Sequence, residues 1–65
     1  MRIELNGTAV ETAAATLAAL IEEQGYEAAS VATALNGQFV PLAARDTATL
    51  HDGAKVEALS PMQGG

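Results

Sequence analysis

The sequence has no cysteine, no tryptophan and a single histidine, and it carries three basic side chains against eight acidic ones. Each scarcity removes a class of function. Without cysteine there is no disulfide framework, no thiolate metal site and no thiol nucleophile, and the composition fits the cytoplasm. A net charge of −5 leaves no basic patch to displace counterions from a phosphate backbone, so nucleic acid is not an expected partner. An acidic surface suits a basic patch on another protein instead. No stretch approaches the length of a membrane span, and M-R-I-E-L-N puts an acid and an Asn where a signal peptide carries its apolar run. The expectation is a soluble cytoplasmic protein, without membrane association and monomeric when free.

Aromatic side chains are equally scarce, at 3% of the chain. The hydrophobic fraction is 49%, but Ala supplies much of it and buries little area, so the core must rest on a few larger residues. At 65 residues the chain is one domain near the lower limit for folding without staples. The expected division is a folded domain over 1–59 and a tail over 60–65.

What is present begins with R-I-E-L-N at 2–6, an alternation that places Ile3 and Leu5 on one face of a strand. Asn6-Gly7 follows, the strongest short hairpin signal, because both central residues of a type I′ turn need positive φ. A two-residue turn there sets Leu5 opposite Thr8, Ile3 opposite Val10 and Arg2 opposite Glu11. In T-L-A-A-L-I-E-E-Q-G, Thr16 reads as a helix N-cap and Gly25 as the residue past the C-cap. Thr12 is the alternative cap if the Ala-rich stretch at 13–15 extends the helix backwards. Leu17, Leu20 and Ile21 form one apolar stripe. A second Asn-Gly, at 36–37, joins two more strand-like runs and sets Phe39 opposite Ala34, with periodicity leaving open which face Phe39 occupies. Pro41 ends that hairpin, residues 42–50 read as irregular with Leu50 as a buried plug, His51-Asp52-Gly53 as a turn, and Lys55–Leu59 as the last strand. The order is hairpin, helix, hairpin, connection, strand. It predicts an α+β fold of the ubiquitin-like β-grasp type: a mixed sheet of four to five strands, one helix across it, and the last strand parallel to the first in the middle.

Internal chemistry is thin. His51 sits beside Asp52 in a turn with no Ser or Cys nucleophile in view, Glu22-Glu23 reads as a solvated helix end, and Arg45-Asp46 as a turn or surface ion pair. His51, Asp52 and Asp46 lack a fourth ligand and metal-site spacing, and neither Asn-Gly precedes a helix as a phosphate loop would. No metal or bound cofactor is expected, nor is the protein expected to be an enzyme. One reactive group is left, the α-carboxylate of Gly65, inert until activated. Acyl-adenylation by an ATP-using partner is the common route. Two glycines suit it, because a stem without Cβ atoms threads a narrow cleft and leaves the carbonyl open to attack.

The runs L-N-G-Q-F-V-P, L-H-D-G-A-K-V-E and P-M-Q-G-G resemble the ThiS family, the bacterial sulfur carrier proteins of the thiamine pathway. The resemblance covers the whole chain. Its diagnostic part is the combination of Asp52-Gly53, Val56-Glu57 and Gln63-Gly64-Gly65. Two positions depart from the pattern: Leu42 where a basic residue is common and Ala54 where an acid is common, which bears on loop and partner contacts. The resemblance implies that an E1-like adenylyltransferase of ThiF type consumes ATP to adenylate Gly65. A cysteine desulfurase or related donor then supplies sulfur, and the thiocarboxylate delivers it to a thiazole synthase of ThiG type. It makes Gly65 the sulfur-carrying position, Gly64 the spacer, and Gln63, Met62 and Pro61 the stem that enters partners. Leu59 and Phe39 are candidate docking residues. The alternatives are a sulfur carrier of molybdopterin or cysteine synthesis, and a ubiquitin-like modifier joined to target lysines through Gly65.

Overall fold

The structure, a computed structural model, describes residues 1–60. Five strands form one mixed sheet: β1 (Arg2–Leu5), β2 (Thr8–Glu11), β3 (Ala32–Leu35), β4 (Gln38–Val40) and β5 (Lys55–Leu59), in the spatial order β2-β1-β5-β3-β4. The helix α1 (Leu17–Glu23) packs across one face. This is the β-grasp arrangement the element order predicts. β5 runs parallel to β1 and antiparallel to β3, so the last strand is the central one.

Both hairpins close as their turn chemistry dictates. Asn6 and Gly7 have φ of 52° and 83°, Asn36 and Gly37 51° and 86°, the doubly positive pattern of a type I′ turn. The registers follow: Leu5 opposite Thr8, Ile3 opposite Val10, Arg2 opposite Glu11, and Phe39 opposite Ala34. The Arg2 and Glu11 side chains meet at 3.7 Å on the solvent side.

The Thr16 hydroxyl caps α1 by accepting from the Ala19 N–H at 3.2 Å. Gly25, at φ 82°, closes the other end: its N–H donates to the Glu22 carbonyl and that of Tyr26 to the Ile21 carbonyl, the paired bonds of a Schellman turn. The Ala stretch does not extend the helix, because the chain around Thr16 is bridged to Thr49, with the Leu17 N–H donating to Ala48 and the Leu50 N–H to Ala15. Thr12 acts outside the helix, its hydroxyl accepting from the Ala14 N–H and donating to the Glu23 carboxylate. Glu23 is therefore not simply a solvated end, as expected from sequence; it ties the helix to the chain leaving β2.

The core is short-listed as the composition requires: Ile3, Leu17, Leu20, Ile21 and Val56 are each at most 1% exposed. Each such side chain stabilises the fold by roughly 1.5–3 kcal/mol. Leu50 plugs the end of this core.

Two expectations for the connection are corrected. Residues Leu42–Thr47 form a 3-10 helix instead of irregular chain, because Pro41 (φ −68°) leads in and its carbonyl accepts from the Ala44 N–H. Arg45 is buried at 3% exposure, not a surface ion pair with Asp46. Its Nε donates to the Thr33 hydroxyl, Nη1 to the Ala28 carbonyl and Nη2 to the Val31 carbonyl. Thr33 passes its own proton to the Val40 carbonyl, so one guanidinium joins β3, β4 and the short 3-10 turn Ala28–Ser30.

Candidate functional site: the exit of the central strand and the open sheet face

β5 alternates exposed and buried residues along its whole length. Val56 and Ala58 point to α1, while Lys55, Glu57 and Leu59 point to the uncovered face. Register then decides which side chains share that face. Ala34 lies opposite both Phe39 and Glu57, and Ala32 opposite Leu59. Phe39 and Leu59 thus occupy neighbouring rows on the same side, 69% and 67% exposed. The two small alanines between them leave a shallow depression of about 100 Å³ lined by Ala32, Ala34, Phe39, Glu57 and Leu59. Two large apolar side chains this exposed on one face of a small, acidic protein make an unusual surface. The ambiguity of Phe39 is resolved: it faces out.

This patch lies where the chain leaves the sheet. Leu59 also lines a groove with Ala29, Ser30, Val31, Ala32 and Ser60. Much of the rest of the open face is charged, with Arg2 and Glu11 paired at one edge and Glu4 opposite Lys55 beside it. A concavity of about 500 Å³ on the helix side, walled by Ile21, Glu22, Tyr26, Leu42, Arg45 and Asp46 among others, shares no residue with the patch. Gly65, Gly64, Gln63, Met62 and Pro61 lie outside the described residues.

The other candidates resolve into structure. Asp52 accepts from the Arg2 N–H at 2.9 Å, the Gly53 N–H donates to the Arg2 carbonyl, and the His51 carbonyl accepts from Ala54. The His51–Gly53 turn therefore anchors the start of β1. Among the described residues no three His, Asp or Glu side chains stand close enough to hold a metal ion. No helix among them is long and apolar enough to cross a membrane.

Besides the Thr12–Glu23 contact, sequence reasoning missed what Arg45, Asn6 and Asn36 do. Arg45 left no local signal, since its acceptors are main-chain carbonyls at 28 and 31 and a hydroxyl at 33. Asn6 and Asn36 were legible only as turn formers. Their side chains also bond β5: Asn6 holds Ala58, and Asn36 accepts from the Lys55 N–H.

The ThiS family model matches residues 2–65. The chain belongs to the ThiS family, the small ubiquitin-fold sulfur carriers that its motifs resemble. Among solved structures, the crystal structure of the thiamine biosynthesis protein ThiS from Geobacter metallireducens is 30% identical, with a TM-score of 0.81 and full coverage of both chains. The solution structure of a thiamine biosynthesis protein from the same organism, also 30% identical, has a TM-score of 0.82 and covers all of this chain and 88% of the other. No curated protein matches this chain.

Proposed function

We propose that this ThiS-family chain is a cytoplasmic sulfur carrier of thiamine biosynthesis whose working group is the Gly65 carboxylate. An E1-like adenylyltransferase of ThiF type joins that carboxylate to the AMP portion of ATP, releasing pyrophosphate. The outer sulfur of a persulfide on a cysteine desulfurase or related donor then displaces AMP at the same carbonyl carbon. A thiol cleaves the resulting acyl disulfide, its own sulfur joining the donor's in a new disulfide and the thiocarboxylate leaving. The thiocarboxylate so formed hands its sulfur to a thiazole synthase of ThiG type. In this reading the chain catalyses nothing and binds no cofactor; it presents a terminus to enzymes that do.

The observation that carries the reading is the family match through residue 65, Gly64-Gly65 included. Two structural features support it. The strand that leads to the tail is the central one, hydrogen-bonded on both sides, so the terminus is presented from a rigid base. Beside the exit lies the Phe39–Leu59 patch, an apolar surface on which a partner can seat while the tail enters its active site. Gln63, Met62 and Pro61 act as the inserted stem. The acidic surface complements basic partner surfaces and speeds their encounter.

Intact mass spectrometry of the protein incubated with ATP, the adenylyltransferase and a sulfur source tests this reading. Replacement of one terminal oxygen by sulfur is the expected result. Isopeptide-linked conjugates point instead to a modifier, and an unchanged mass overturns the carrier reading. Transfer of the sulfur into a molybdopterin or cysteine precursor, with none into thiazole, moves the protein to another pathway.

A further inference from the structure

The Asn6 amide does more than its place in a turn requires. β1 pairs in parallel with β5 up to Leu5 opposite Val56, and the Asn6 main-chain N–H adds one more rung by donating to the Val56 carbonyl at 2.9 Å. The chain then turns away at Gly7, and β1 offers nothing further to the end of β5. The Asn6 side chain takes up that position. Its Nδ2 donates to the Ala58 carbonyl at 3.1 Å, and its Oδ1 accepts from the Ala58 N–H at 2.9 Å. A planar amide with one donor and one acceptor engaged reproduces what a strand residue offers its neighbour. Ala58 stands two residues before Ser60, where the chain leaves the sheet. Asn36, with the same turn conformation, accepts from the Lys55 N–H at the opposite end of the same strand.

We propose that Asn6 is a positioning residue for the C-terminal tail. By clasping both main-chain polar groups of Ala58 it holds the end of β5 on its β1 side, and so sets the point and direction at which the chain departs toward Gly65. The proposal rests on the carrier reading above. Without the clasp, the end of β5 is held by β3 alone and opens more often. The tail then starts from a wider range of directions, and a partner must restrict that range on binding. The cost falls on KM rather than on the chemical step.

Asn6→Gly and Asn36→Gly form a matched pair. Gly accepts the positive φ at both turns, and each change removes one side-chain amide from β5. Hydrogen exchange is the first readout: Asn6→Gly is expected to lower protection of the Ala58 amide by about ten-fold or more, and Asn36→Gly that of Lys55. The second is pyrophosphate exchange into ATP by the ThiF-type adenylyltransferase with each protein as substrate, at a temperature where circular dichroism shows both variants folded. Asn6→Gly is expected to raise KM by about five-fold with kcat unchanged, and Asn36→Gly to match wild type. Equal KM values for the two variants overturn the role of Asn6, since a purely structural effect does not distinguish the ends of the strand. Wild-type protection at Ala58 in Asn6→Gly overturns it as well. If wild-type protein drives no exchange, the carrier reading itself falls, and the proposed role in transfer with it; the Ala58 protection still reports the clasp.

Discussion

The two faces of the sheet are built from the same five strands and have opposite compositions. Toward α1 lie Ile3, Leu5, Val56 and Ala58, closed off by Leu17, Leu20, Ile21 and Leu50. On the other side the same strands present Arg2, Glu4, Glu11, Lys55 and Glu57, then Ala32, Ala34, Phe39 and Leu59. Alternation with a period of two explains how one strand serves both faces. It does not explain two large apolar residues on the side that no other described element covers. The covered face carries the stability of the fold; the open face carries an apolar surface that folding does not use. A domain this small shows the division clearly, because few large side chains are available to either side.

Substitutions on the two faces should therefore behave differently. The largest loss of stability is expected from Leu20→Ala on the covered face, where the side chain is fully buried and the change leaves a cavity; chemical denaturation should show a loss of about 2–5 kcal/mol. Arg45→Met should cost about 2–4 kcal/mol, because the acceptors at Ala28, Val31 and Thr33 lose their donors while the burial cost of a charge is relieved. Arg45→Lys should recover only part of that, since an ammonium group lacks the planar fork that reaches three acceptors.

On the open face the balance reverses. Phe39→Ser and Leu59→Ser should change stability by no more than about 0.5 kcal/mol, as exposed substitutions do. Each should weaken binding to the adenylyltransferase by about 1–2 kcal/mol, read by calorimetric titration. Wild-type affinity in both variants removes the docking role of the patch. The smallest structural effect belongs to deletion of Gly65, which takes nothing from the core cluster: the melting temperature should hold while thiocarboxylate formation, followed by intact mass, disappears. A domain unfolded by that deletion makes the tail a structural element.

The parts legible in the sequence were those whose causes are local. Asn6-Gly7 and Asn36-Gly37 announced hairpins because αL backbone is nearly free for Asn followed by Gly, and the two-residue turn then dictated each register. Thr16 and Gly25 marked the ends of α1 because a hydroxyl cap and a positive-φ residue satisfy groups within one helical turn. Arg45 went unread for the opposite reason. Nothing within four residues of it accepts its protons, and the adjacent Asp46 suggested a surface pair. The Asn6 clasp on Ala58 spans 52 positions, beyond any periodic pattern. Glu23 and Thr12 meet across the loop between β2 and α1, a contact that a reading of the helix alone does not contain.

By itself, then, the sequence determined the order of elements, both turns, the helix caps, the short list of core residues and the two glycines at its end. These follow from backbone sterics, hydrogen-bond satisfaction and apolar spacing over a few residues. Only the tertiary structure decided that Phe39 and Leu59 stand on one open face beside the point where the chain departs, that Arg45 holds the main chain from inside, and that the Asn6 side chain reaches Ala58. Such facts depend on which distant segments pair and in what register. That choice is made by burial of the whole apolar set at once, which no local window of sequence contains.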